Sequence, residues 1–343
     1  MTGPASLPLT GTRRVDLTFT HRVAPDDLSG RSGGGASFLD VLLRRFPYHT
    51  ADEWRERIAD GRVTLAETRT TPDATVACDD LITYRVSGYE EPAVPIDFRE
   101  LVSAGDLALV HKPAGLPVHK TGRIFLNVLA GLYRTFKDDE AWAPLNRLDA
   151  ETSGIVAFAR GKEALRRFAP NAPGITWKKT YLAVVDGIMS APCTHEGPLA
   201  EWRDHPIRSR MRVHPDGKRA RTEFTPLATT RDGKTLVLAQ PVTGRKHQIR
   251  AHLADFGFPI VGDKIYNHEG RYYLKRLQGH ELTPEDYATL GAPYQLLHAV
   301  GLEILQSREV VISTHDRGLP EPFEALFPHF PWTEKFPAVP PPG

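Results

Sequence analysis

The sequence predicts an α+β chain, a mixed and mostly antiparallel sheet domain preceded by a small α+β module. Three observations point there. Beyond residue 98 the chain is dominated by short runs rich in β-branched residues, such as DLALVHKP, GIVAFAR, TYLAVVDG, RTEFTPLA, TLVLAQPV and LLHAVGLEI. Helical patterns between them are few, which argues against the crossovers of a parallel sheet. The composition also shifts at EEPAVPID, residues 90–97, which reads as a linker.

In chain order, residues 1–35 are punctuated by Pro, Gly and Ser and end in GRSGGGAS, so a flexible segment is expected. Residues 36–88 form the small module. SFLDVLLRRF puts Phe38, Val41, Leu42 and Phe46 at helical spacing. TADEWRERIADG reads as a second helix, because Thr50 and Glu53 make a T-x-x-E capping box and Gly61 supplies a stop. RVTLAET and DLITYRV read as short strands, and 89–97 is the linker. Residues 98–336 form the large domain, with helices at GKEALRRF, stopped by Pro170, and at KHQIRAHLADF, stopped by Gly257 with Pro259 beyond. Residues 337–343 are a Pro-rich tail.

At 343 residues with 41% hydrophobic and 25% charged, the composition is that of a globular chain with a sizeable core. The formal net charge is only +1, so a polyanionic partner has to be met by a local patch. Such a patch is present, since residues 200–253 hold twelve Lys and Arg against five Asp and Glu. A charge run is often just a solvated face. This one is arginine-rich and broken by Ile207, Met211 and Val213, and arginine pairs with phosphate and stacks on bases, so polyanion binding is the better reading. Cys78 and Cys193 are the only cysteines. They fit a reducing compartment without disulfides or zinc. With no signal-like apolar core near the amino terminus and no apolar run of membrane length, a cytoplasmic monomer with no membrane partner is expected.

Three blocks carry chemistry. NRLDAETSG, residues 146–154, sets Arg147 beside Asp149 ahead of a glycine that turns the backbone into a strand. Alone, an R-x-D pair is more often a structural ion pair. KKTYLAVVDG, residues 178–187, places Tyr181 in an alternating strand, where a core tyrosine is the plainer reading. VTGRKHQIRAHL, residues 242–253, presents Arg245, His247 and Arg250 at a turn and helix start, with His247 and Arg250 three apart on one face. His247 and His252, five apart, do not share a helix face and are not a metal pair.

Together with HKPAGLPVH at 111–119, the extension of the last block to Tyr266 and LLHAVGLEI at 296–304, these blocks in this order closely resemble the RluA-type pseudouridine synthases over about residues 98–330. The resemblance implies the pseudouridine synthase type of catalytic domain, an RNA isomerase acting on structured RNA, with no cofactor or metal. It implies that Asp149 is catalytic, that Arg147 helps displace the target base, that Tyr181 lies against the flipped base and that Arg250 pairs with the catalytic carboxylate. Arg245 and His247, with Arg208, Arg210 and Arg212 of the basic stretch, are the further residues expected to bind substrate. The module at 36–88 resembles the S-four RNA-binding domain, which favours ribosomal over transfer RNA.

The chain departs from the family pattern at Asn146, where His is usual, and at Lys246, where Thr is usual. Neither position supplies a group the chemistry requires. One carboxylate can attack the sugar, attack the base or remove a sugar proton, and the sequence leaves all three open. Two other function classes compete. A non-catalytic RNA-binding protein on the same fold would have no use for Asp149, Tyr181 and Arg250 together. A glycoside hydrolase would need a second carboxylate in a comparable block, and none is found.

Overall fold

The computed structural model describes residues 13–28, 36–46, 49–121, 124–316 and 318–336. The chain divides into two compact units, residues 11–92 and a larger one covering 93–343.

The smaller unit begins earlier than the sequence reading placed it. Within the segment expected to be flexible, residues 13–22 form a strand, β1 (Arg13–Arg22), followed by a short helix, α1 (Pro25–Leu28). The alternation in RRVDLTFTHR marks this strand, and the Pro- and Gly-rich flanks obscured it; residues 1–12 and 29–35 lie outside the described residues. Next come α2 (Phe38–Arg45), capped by Ser37, and α3 (Ala51–Ala59). The capping box at α3 forms as expected, with the Glu53 N–H donating to Thr50 Oγ1 at 3.3 Å and the Thr50 N–H donating to Glu53 Oε2 at 2.7 Å. Strands β2 (Val63–Leu65) and β3 (Leu81–Glu91) complete a three-stranded antiparallel sheet in the order β1-β3-β2. Phe38, Val41, Leu42, Trp54, Ile58 and Ile82 close its core.

The larger unit starts with β4 (Arg99–Ala104) and β5 (Leu107–Lys112), then α4 (Leu129–Lys137), β6 (Trp142–Pro144), β7 (Ser153–Arg160) and α5 (Gly161–Arg167). The long strand β8 (Ile175–Asp186) leads through β9 (Cys193–His195) to a separate hairpin, β10 (Leu199–Glu201) and β11 (Met211–Val213). Strands β12 (Thr222–Thr229) and β13 (Lys234–Pro241) precede α6 (Gln248–Asp255), α7 (Arg271–Leu277) and α8 (Pro284–Leu290). The unit ends with β14 (Leu297–Gln306), β15 (Glu309–His315), α9 (Glu321–Leu326) and α10 (Trp332–Lys335); the tail beyond 336 lies outside the described residues.

Ten strands make one open sheet with the path β4-β5-β7-β14-β8-β13-β12-β9, with β15 against β14 and β6 against β7. Every pairing is antiparallel except β7 with β14, where Ser153 and Gly154 lie opposite His298 and Ala299. That step demands a glycine. Gly154 has φ +108°, and a Cβ there would lie 2.3 Å from the Ala299 carbonyl oxygen. The sheet therefore admits two strands side by side at the point where the RLDAETSG segment enters it.

Candidate active site

Asp149 sits on the loop between β6 and β7, and the backbone after it is held from several sides. Lys112, fully buried at the end of β5, donates to the carbonyls of Pro113, Leu116 and Ala150 at 2.9, 2.7 and 2.9 Å. The Gly115 N–H also reaches the Ala150 carbonyl, at 2.8 Å. Gln295 donates to Thr152 Oγ1 at 2.6 Å, Ser153 Oγ and His298 Nδ1 are 2.8 Å apart, and Lys264 grips both oxygens of Glu151. Asn146, the first departure from the family pattern, accepts from the Ala157 N–H at 2.8 Å and pins the loop's entrance to β7.

Asp149 and Arg250 meet across 101 residues of chain, with Arg250 Nη1 2.6 Å from Asp149 Oδ2. The guanidinium is itself oriented by Asp263, which is completely buried. Nε and Nη2 of Arg250 donate to the two Asp263 oxygens at 2.7 and 2.8 Å, the bidentate geometry that fixes an arginine plane. Asp263 also accepts from the Ile265 and Tyr266 N–H groups at 2.9 and 3.1 Å. Gly262, at φ +79°, brings this turn against the Tyr294 carbonyl, where a Cβ would lie at 2.1 Å.

His247 does not lie on the helix. It is the residue that caps α6, with φ 55° and ψ 19°, a left-handed conformation that costs about 1–3 kcal/mol for a non-glycine residue. Buried Gln248 holds the bend by accepting from Thr243 Oγ1 and the Arg245 N–H, and by donating to the Arg221 carbonyl and Thr222 Oγ1. The strain turns His247 toward the site, with Nε2 3.8 Å from Asp149 Oδ1 and Nδ1 3.2 Å from the Tyr266 hydroxyl. Burial pushes the Asp149 carboxyl up, but Arg250, then His247 and Arg147, pull it down to about 2. Burial and Arg250 draw His247 to about 4. At neutral pH the site thus holds an ionised carboxylate beside a neutral imidazole.

Asp149 lies where two lobes of a cleft meet. The larger, about 620 Å³, is lined by Tyr181, Lys179, Trp177, Arg245 and the Val242–Gly244 loop; the smaller, about 380 Å³, by His119, Lys120, Glu151, Ser209 and Arg276. Arg147, Lys246, His247 and Arg250 border both. Arg147 is exposed and makes no hydrogen bond or ion pair among the described residues, so its guanidinium is available to a ligand. Arg245 donates through Nε to the Arg219 carbonyl at 3.0 Å. Tyr181 stands on the wall near Asp149, and burial, with the Asp149 charge, raises its phenol above the usual range. It is protonated at neutral pH.

Arg208, Arg210 and Arg212 lie on the β10–β11 hairpin and border neither lobe. Arg208 is exposed. Arg210 stacks over Trp202 and Tyr266, with its guanidinium carbon 5.6 and 5.3 Å from the ring centres, and Arg212 lies 5.7 Å over Trp202. Two of the three arginines are therefore engaged with aromatic rings in this structure. Tyr266 carries Arg250 over its ring as well, at 5.1 Å.

Residues 106–255, which include Asp149, Tyr181 and Arg250, match the RNA pseudouridylate synthase family. The match takes in a little under half of the chain. It is similar to RNA pseudouridine synthase 7 of Oryza sativa subsp. japonica, 28% identical over 239 residues, which is 68% of this chain and 60% of that protein. It is also similar to the mitochondrial tRNA pseudouridine(32) synthase of Saccharomyces cerevisiae, 28% identical over 67% of this chain and 50% of that one. The chain thus spans about half to three fifths of the length of these relatives. The solved structure of human RNA pseudouridylate synthase domain containing 1 shares the fold, with a TM-score of 0.52, 21% identity and coverage of 72% of this chain and 97% of that one.

Within this site, sequence reasoning missed Asp263, Gln248, Tyr266 and Lys112. All four lie inside or beside the quoted blocks, but their roles depend on partners brought close only by the fold. Lys112 in HKPAGLPVH was the most accessible, because a lysine in an apolar strand end needs buried acceptors.

Proposed function

We propose that this chain is an RNA pseudouridine synthase that converts specific uridines in structured RNA through one catalytic carboxylate, Asp149. The observation that carries the reading is the Asp149–Arg250–Asp263 arrangement at the meeting of the two lobes: an ionised carboxylate with an oxygen facing the cleft and its other oxygen fixed by a guanidinium that is itself fixed. The reaction breaks the bond between N1 of uracil and C1′ of the ribose, forms one between C5 and C1′, and releases the proton of C5 while N1 gains one. It is an isomerisation without redox change. A carboxylate over the sugar can serve as nucleophile or base.

The target base has to leave its stack, at about a few kcal/mol. Arg147, free at the rim, is placed to occupy the space it vacates, and Tyr181 offers the extruded ring a face. Ribosomal RNA is our preferred substrate on the basis of the appended unit at 11–92; transfer RNA, the substrate in the yeast relative's name, is the alternative. The test is release of tritium from [5-³H]uridine in RNA from cells lacking the gene, followed by mapping of the sites formed. Asp149→Asn is expected to abolish release while changing RNA affinity by less than a few-fold. Full release by a folded Asp149→Asn protein would sink the assignment.

A further inference from the structure

Strand β8 runs past Asp149 with alternate side chains on one face. Four of them, Tyr181, Lys179, Trp177 and Ile175, line the same wall of the larger lobe. At a rise of about 3.3 Å per residue, Trp177 stands about 13 Å along this wall from Tyr181. The lobe therefore continues beyond a base held against Tyr181. Pairing between β13 and β8 ends at Ala239 and Tyr181, so the next stretch of β8 faces a loop instead of a strand. Val242 on that loop is 62% exposed.

Lys179 is the unusual residue of this wall. It is half-buried, yet it makes no hydrogen bond or ion pair among the described residues, and its ammonium lies 5.7 Å over the Trp177 ring. Gly244 faces it, where a Cβ would come within 3.3 Å of Nζ. A cation withdrawn from water without a counter-charge is disfavoured; burial lowers the Lys179 pKa, and no neighbouring charge opposes that. Trp177 has its ring fixed by donating Nε1–H to the Phe168 carbonyl at 3.1 Å. An aromatic face beside an unpaired cation, repeated along a groove, is how single-stranded nucleic acid is held without sequence readout.

We propose that the wall from Lys179 to Trp177 is a second nucleotide subsite, where Lys179 takes the phosphodiester joining the target uridine to its neighbour and Trp177 stacks that neighbour's base. The ammonium leaves the ring for the phosphate and so uncovers the face. This inference rests on the reading of the cleft as an RNA site, and it adds that the enzyme grips an unpaired nucleotide next to its target.

Binding of fluorescein-labelled pentauridylate, followed by anisotropy across a salt series, tests it. Lys179→Met is expected to weaken binding about tenfold at low salt and to reduce the slope of log affinity against log salt by about 0.7, the equivalent of one phosphate on a single strand. Lys179→Arg should retain the slope. Trp177→Ala should weaken binding about fivefold or more with the slope unchanged, and Trp177→Phe, which keeps a stacking face and guards against loss of core packing, should recover most of it. Equal binding by the wild-type protein and the folded Lys179→Met and Trp177→Ala variants overturns the subsite, as does the absence of binding by wild type. Tritium release separates this from the parent reading. Release by wild type with unaltered binding in the variants removes the subsite alone, whereas weakened binding in the variants without release by wild type removes the isomerase assignment and leaves the subsite standing.

Discussion

A carboxylate that must stay ionised in a partly desolvated cleft needs a neighbour that cannot lose its proton, and Arg250 is such a neighbour to Asp149. With Asp149 at about 2 and His247 at about 4, neither group changes charge between about pH 5 and 8. The depressed Asp149 value stabilises the fold above its unfolded value of 3.8, and that stabilisation is lost as pH falls toward 2. We therefore expect kcat/KM to show no acid limb between pH 5 and 7; a limb near pH 6 would identify a different titrating group. Asp263 gives a second prediction at this scale. Asp263→Asn leaves Arg250 with one acceptor oxygen at that side chain in place of two and with Asp149 as its remaining carboxylate partner, so stability should fall by about 1–3 kcal/mol in urea denaturation. Turnover of the folded fraction should drop about tenfold to a hundredfold through misplacement of Arg250, with KM little changed. Unchanged turnover would mean that Asp149 alone orients Arg250. The pairing of Asp149 with Arg250 was legible through the family blocks. Asp263 was not, because a carboxylate thirteen residues from Arg250 has no periodic relation to it and becomes its partner only through the turn at Gly262.

Whole elements were legible to the extent that their burial was uniform. Strands β5, β7, β13 and β14, and β8 over residues 182–185, are sequences of apolar and β-branched residues buried on both faces or nearly so, and their runs announced them. Helix α4 escaped because Val128 caps it without a side-chain hydrogen bond and Gly131 sits inside it. Helix α8 carried a readable signal that went unused, since Thr283 and Asp286 form a capping box with Pro284 in the first turn. The β5 end and the Asp149 loop make one mechanical piece, joined by Lys112. Lys112→Met nearly preserves side-chain volume but leaves the carbonyls of Pro113, Leu116 and Ala150 without their donor. We expect a loss of about 2–4 kcal/mol in urea denaturation, accompanied by reduced turnover because the Ala150 backbone follows Asp149 directly. Wild-type stability would show that water replaces the ammonium.

Across the whole molecule, charge is segregated more sharply than the net value of +1 reveals. The unit at 11–92 holds eleven arginines and no lysine against fourteen Asp and Glu, and several arginines are paired: Arg14 with Glu90, Arg55 with Asp52, Arg62 with Asp60 and Arg85 with Glu67, at 2.6–2.9 Å. A surface whose cations already have carboxylate partners releases few counterions on meeting RNA. The cleft rim differs, because Arg147 and Lys246 are exposed and have no acidic partner among the described residues, and Arg245 meets only a carbonyl. Two triple variants of the full chain separate these contributions. Arg147, Arg245 and Lys246 replaced by Ala should flatten the salt dependence of RNA binding by up to roughly three phosphate equivalents. Arg55, Arg62 and Arg85 replaced by Ala should leave the slope within about one equivalent, even if affinity shifts through shape. The sequence reading of the small unit as an RNA-binding module leads to the opposite expectation, a second electrostatic grip. A slope that falls equally in both variants would restore that expectation and place phosphates on the small unit; a fall confined to the cleft-rim variant would leave the small unit to act by contacts that salt does not screen.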